Sequence, residues 1–165
     1  MDAIVSDTTA LIVLARRQRL DLLGACFERV LLPRAIYLEW LAGDASVEQT
    51  VASLGFLEVV AVDDSPLLGD LRTLLDPGEA EALALARAQG LPLLVDEKKG
   101  RTIARMMKIP VLGLVGLLLL AVERGILKPP VAGTLLQRSI DDGFRLSERL
   151  HQAFLDRLAL SADPR

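Results

Sequence analysis

Four acidic side chains fall where amphipathic patterning does not call for them: Asp7, Glu39, Glu79 and Asp96. Asp7 follows the apolar run Ala3-Ile4-Val5 and Ser6, and Asp96 follows Leu93-Leu94-Val95, so both stand just past an expected strand. In open α/β sheets that position borders the ligand crevice. Glu39 lies within Ala35-Ile36-Tyr37-Leu38-Glu39-Trp40-Leu41, whose apolar neighbours imply partial burial, and Glu79 opens a helix at Asp76-Pro77-Gly78-Glu79. Carboxylates gathered at one edge repel, which raises their pKa values or demands a cation. Oxygen-only donors select a hard ion such as Mg²⁺ or Mn²⁺. One or two such ions support phosphodiester hydrolysis by activating a water and stabilising the attacking and leaving oxygens.

Each carboxylate also has a plainer reading. Asp7 and Asp96 can cap the helices that follow them. Glu39 can pair with an arginine on a neighbouring helix, and Glu79 occupies the capping-box position that wants Glu for backbone reasons alone. Glu81, two residues on, points away from Glu79, so at most one of them can face the crevice. Beside Asp96 runs Glu97-Lys98-Lys99-Gly100-Arg101, with Arg105 and Lys108 expected on one helical face with Arg101. Lys99 and Arg101, with Thr8 beside Asp7, are candidate contacts to substrate phosphates; a solvated helix face is the plainer alternative. Arg16, Arg17 and Arg19 form a second basic group with the same ambiguity.

Alternating elements would hold these residues in place. Strands are expected at Ala3–Val5, Arg29–Leu32, Leu57–Val62, Leu93–Val95 and Val111–Leu112. Helices are expected after Thr8, after Pro33, over Ser46–Leu54, Leu67–Leu75, Ala80–Gln89 with Gly90 as stop, Arg101–Met107 and Leu114–Arg124. From Pro129 onward the pattern is helical only, with Leu150, Phe154 and Leu158 on one stripe. The alternation predicts an α/β, three-layer α/β/α fold around a mostly parallel sheet of about five short strands, with a C-terminal helical tail. The expected division is a catalytic domain over 1–128 and a helical extension over 129–165 packed on it.

Composition narrows the class. A chain of 165 residues suits one domain, and 52% hydrophobic residues with 4% aromatic describe an aliphatic core. A lone cysteine, Cys26, excludes an internal disulfide, and the beginning of the chain lacks the pattern of a signal peptide, so the cytoplasm is expected. The apolar stretch 111–122 is too short for the roughly 20 residues of a membrane span and predicts a buried or dimer-facing helix. A net charge of −3 argues against a broadly cationic surface. His151 is the only histidine, which excludes multi-histidine zinc sites and a Ser-His-Asp triad, and no nucleotide-cradling glycine motif occurs.

Four segments in order resemble the PIN-domain ribonuclease family, especially VapC-like toxins and a subgroup with an added helical tail. They are Ile4-Val5-Ser6-Asp7-Thr8-Thr9-Ala10-Leu11-Ile12, Val30-Leu31-Leu32-Pro33-Arg34-Ala35-Ile36-Tyr37-Leu38-Glu39, Asp76-Pro77-Gly78-Glu79-Ala80-Glu81-Ala82-Leu83, and Leu93-Leu94-Val95-Asp96-Glu97-Lys98-Lys99-Gly100-Arg101. The resemblance implies that Asp7, Glu39, Glu79 and Asp96 hold Mg²⁺ or Mn²⁺, with Glu81 and Glu97 as substitutes at the third and fourth positions. It further implies RNA as substrate, a homodimer, and a small antitoxin protein as partner. A catalytically silent interaction module, assembling through helix 114–124 and the tail, is the alternative.

Overall fold

Ile4 and Val5 are β-branched and fully buried, a pairing that favours an extended segment covered on both faces. They form the middle of strand β1 (Ala3–Ser6) in the computed structural model, which describes residues 3–162. Met1, Asp2 and Asp163 to Arg165, included in the domain ranges above, lie outside the described residues. The other strands are β2 (Arg29–Pro33), β3 (Leu57–Val60), β4 (Leu93–Leu94) and β5 (Val111–Leu112). All pair in parallel, in the order β3-β2-β1-β4-β5. The chain therefore builds outward from β1 to β3, then crosses back to place β4 on the other side of β1. That reversal is the topological switch point at which open α/β sheets form their crevice, and Asp7 stands at its β1 side.

Strand residues alternate between two cores. Ile4, Val30, Leu32 and Leu94 face one, covered by α1 (Thr8–Arg16), α2 (Asp21–Cys26), α8 (Leu114–Glu123), α9 (Pro129–Asp141) and α10 (Glu148–Ala162). Val5, Leu31, Leu93 and Val95 face the other, covered by α5 (Pro66–Leu74), α6 (Pro77–Gln89) and α7 (Lys98–Met106). Helices α3 (Arg34–Gly43) and α4 (Val47–Ser53) follow β2, with Ile36, Trp40 and Val47 buried in the first core. The three-layer α/β/α arrangement expected from the alternation is present.

Local differences have local causes. β3 ends at Val60 rather than Val62 because its partner register ends at Pro33, where β2 turns into α3. α2 escaped the pattern because it is a single short run with no side-chain cap, held by burial of Leu22, Leu23 and Cys26. Lys108 does not share a helical face with Arg101 and Arg105: α7 stops at Met106 and Lys108 takes a left-handed φ of 59°. The apolarity of α8 is accounted for inside the chain, where Leu114, Leu117, Leu118 and Ala121 are fully buried. Ala132, Leu136, Phe154 and Leu158 of α9 and α10 join the core that contains Ile4. Among the described residues no helix is long and apolar enough to cross a membrane.

Candidate active site

The backbone of Asp7 is fixed by the sheet. Its N–H donates to Leu94 O at 2.9 Å, extending the β1–β4 pairing by one residue, and its carboxylate accepts from Thr8 N–H at 2.6 Å as the cap of α1. Thr8 is itself buried, and its hydroxyl donates to Glu39 Oε2 at 3.1 Å, so the β1 turn holds the α3 carboxylate. Glu39 is exposed rather than half-buried as its apolar neighbours implied. α3 turns Ile36 and Trp40, one helical turn apart, into the core and leaves Glu39 at the rim.

α6 supplies the next carboxylates. Asp76 caps it by accepting from Glu79 N–H at 2.8 Å, and Pro77 sits in the first turn where its missing N–H costs nothing. Gly78 permits close approach to α3: a Cβ there would lie 2.7 Å from Ile36 Cδ1, 3.0 Å from Glu39 Oε2 and 3.6 Å from Asp76 Oδ1. Glu39 and Asp76 thus converge on one glycine. Gly78→Ala is expected to push α6 from α3 and cost about 1–3 kcal/mol, the range for an overpacked contact, with a matching fall in thermal midpoint; an unchanged melt would show that the contact relaxes freely.

Glu79 is 6% exposed, and its Oε1 has no hydrogen-bond partner although it is buried. Burial is the main force lifting its pKa to about 8; the neighbouring Glu97 carboxyl and the charges of Asp76 and Asp7 add to it. Asp7, 5% exposed, is lifted to about 7 by burial first; Glu97, Asp76 and Glu39 add, and the Thr8 N–H opposes. Among the described residues none of Asp7, Glu39, Asp76, Glu79 and Glu97 forms a salt bridge, and the largest charges acting on Asp7 and Glu79 are negative. Asp7, Glu39, Asp76, Glu79 and Glu97 therefore form one acidic cluster without an ion-pair partner at the switch point.

A family model described as PIN domain matches residues 3–159. The chain belongs to the PIN-domain family. PIN domains are in general nucleases, and the match runs from β1 into α10. No curated protein matches the chain.

In this PIN domain, the acidic residue after β4 that acts on the cluster is Glu97. Asp96 is tied to α8: its Oδ1 accepts from Leu114 N–H at 3.0 Å, satisfying the first turn of α8, and Arg101 lies beside it. Burial raises the Asp96 pKa, the Leu114 bond and Arg101 oppose, and its Oδ2 is buried without a partner. Glu81 faces away from Glu79, accepting from Ala35 N–H at 3.1 Å and lying 3.8 Å from Arg72, so it ties α6 to α3 and α5. Lys99 is exposed on the first turn of α7, whereas Arg101 is half-buried with an unpartnered Nε.

Asp76 is the cluster member that sequence reasoning left as a helix cap. Its signal was the capping box itself, which sets the cap and the Glu three residues later against each other. Among the described residues no three Asp, Glu, His or Cys side chains are set to hold a metal ion together. The donor chemistry nevertheless suits a hard cation. Every donor is a carboxylate, none of them is ion-paired among the described residues, and Glu79 Oε1 is an orphan. Mg²⁺ is usually held by one or two carboxylates while keeping several waters, and the cluster has those to offer.

Proposed function

We propose that this PIN domain is a metal-dependent endoribonuclease whose catalytic centre is the cluster of Asp7, Glu39, Asp76, Glu79 and Glu97. The observation that carries the reading is the convergence of buried Asp7 and Glu79 with three further carboxylates, none of them ion-paired among the described residues. Mg²⁺ or Mn²⁺ would be held chiefly by Asp7 and Glu79, with Glu39, Asp76 and Glu97 in reserve, and would supply water activation and charge neutralisation at the phosphate. Thr8 keeps Glu39 turned toward Asp7. Glu79, lifted to about 8, keeps its proton at neutral pH until the surrounding charge is balanced. Asp96 braces the start of α8, and Arg101 and Lys99 approach substrate phosphates from α7.

The motif resemblance supports a toxin of a toxin–antitoxin pair, acting in the cytoplasm as a homodimer and silenced by a small antitoxin. Purified protein with RNA is expected to cleave in Mn²⁺ and to stop when the ion is chelated. Glu97→Gln should lower that cleavage about tenfold or more, the size expected when a metal-site group is removed, whereas Asp96→Asn should act mainly on the melting temperature. Cleavage insensitive to both chelation and Glu97→Gln would end the proposal.

A further inference from the structure

Next to the acidic cluster, sharing Glu97 with it, lies a cleft of about 780 Å³ whose other walls the nuclease reading leaves unassigned. Three elements wall it: α1 with Ile12, Val13 and Arg16; the start of α7 with its cap Glu97 and first residue Lys98; and the α9–α10 turn with Phe144 and Arg145. Its size falls within the roughly 300–1,000 Å³ of small-molecule sites, room enough for a nucleotide. We propose that this cleft holds single-stranded RNA to one side of the scissile bond, so that the C-terminal helices complete the substrate site. The inference rests on the ribonuclease reading of the acidic cluster and names where its substrate runs.

The charges support a phosphodiester strand. Arg17 is engaged by Asp142, an ion pair that ties the end of α1 to the α9–α10 turn and closes the cleft on that side. Arg16, Lys98 and Arg145 are exposed and form no ion pair among the described residues. Those three cations can track a backbone while the half-buried ring of Phe144 offers a face for a base, the combination that single-strand binders use. Glu97 is shared between the cleft and the acidic cluster, so a strand lying along the cations is led to the carboxylates. An acidic peptide would meet Asp96 and Glu97 there with no cation of its own, whereas a phosphate diester is the group a metal in the cluster would receive.

The test measures anisotropy of a labelled, cleavage-resistant 2′-O-methylated single-stranded RNA in Mg²⁺, alongside Mn²⁺-dependent hydrolysis of bis(4-nitrophenyl) phosphate, too small to need the cleft. Arg145→Glu and Lys98→Glu should each weaken RNA binding about tenfold and flatten the log–log salt slope by roughly 0.7 for each phosphate no longer neutralised. Hydrolysis of the small diester should be unchanged. Lys98→Glu places an acid at the first turn of α7, which the helix dipole favours, so weaker binding there does not mean a damaged fold. Lys128→Glu, at the far end of α9, carries the same change in net charge and should alter binding less than about twofold. Equal effects of all three variants, in a protein that hydrolyses the small diester, would overturn the cleft while leaving the nuclease. Equal weakening toward a polyglutamate peptide would also overturn it, marking a protein-binding surface. Failure of the wild type to hydrolyse the small diester would remove the ribonuclease reading, and this one with it.

Discussion

Asp7→Asn is expected to lower Mn²⁺-dependent RNA cleavage by roughly a hundredfold or more, the loss typical of removing one preorganised electrostatic group from an active site. Asn is nearly isosteric and still caps α1 through its carbonyl, so the bond from Thr8 N–H survives. What disappears is a buried negative charge that Glu97, Asp76 and Glu39 all oppose. Without that charge the cluster attracts a cation less strongly, and the stabilisation that Mn²⁺ gives the folded protein should shrink by mass action. Initial rates measured across Mn²⁺ concentration separate the two effects, because weakened ion binding is recovered at high Mn²⁺ and a missing transition-state interaction is not. Retention of near-wild-type cleavage at every concentration would remove Asp7 from the centre.

The second large effect is a stability curve that falls with pH and is lifted by metal. In the unfolded chain Asp7 and Glu79 titrate near 3.8 and 4.5; in the folded protein they titrate near 7 and 8. A raised folded pKa means the native state binds the proton more tightly. The associated stability is complete below about pH 4 and is lost as pH climbs through 7 and 8. Asp44, held low by its hydrogen bond from Ser46, and Glu58, held low by Arg29, work in the opposite sense. Both finish titrating in acid, which leaves the higher range, pH 5 to 8, to the raised carboxyls, Asp7 and Glu79, with burial of Asp96 acting in the same sense. Over that window the metal-free protein should lose on the order of 3 kcal/mol from Asp7 alone, a fall in melting temperature of roughly 6–12 °C. Mn²⁺ competes with protons for the same oxygens, so its stabilising shift should be larger at pH 8 than at pH 5. Asp7→Asn should flatten the metal-free curve. A melting temperature constant or rising from pH 5 to 8 without metal would contradict the buried pair, and equal Mn²⁺ shifts at both ends would contradict its coupling to the ion.

The parallel three-layer fold was legible in the chain because its signals are local. β-branched runs such as Ile4-Val5, the Asp76-Pro77-Gly78-Glu79 helix start and the left-handed Gly90 stop are each recognisable within a few residues. α2 lacked such a signal, since it has neither a side-chain cap nor length, and it is held by tertiary contacts, the burial of Leu22, Leu23 and Cys26. The Lys108 expectation failed because helical phase was carried past the point where the backbone leaves the helix.

For the site, residue type and chain order determined that carboxylates follow β1 and β4 and open α6, since those positions are set by strand ends and caps. Which oxygen faces which neighbour was decided by packing. Glu79 and Glu81 have the same chemistry, yet α3 stands against Glu81 while the β4–α7 connection stands against Glu79. Asp96 and Glu97 are adjacent in the chain, but the N-terminus of α8 captures the first and leaves the second to the cluster. Periodicity tells a residue's direction relative to its own helix or strand; the element that lies across the gap is supplied by the tertiary fold, and its charge and distance decide what a carboxylate can do.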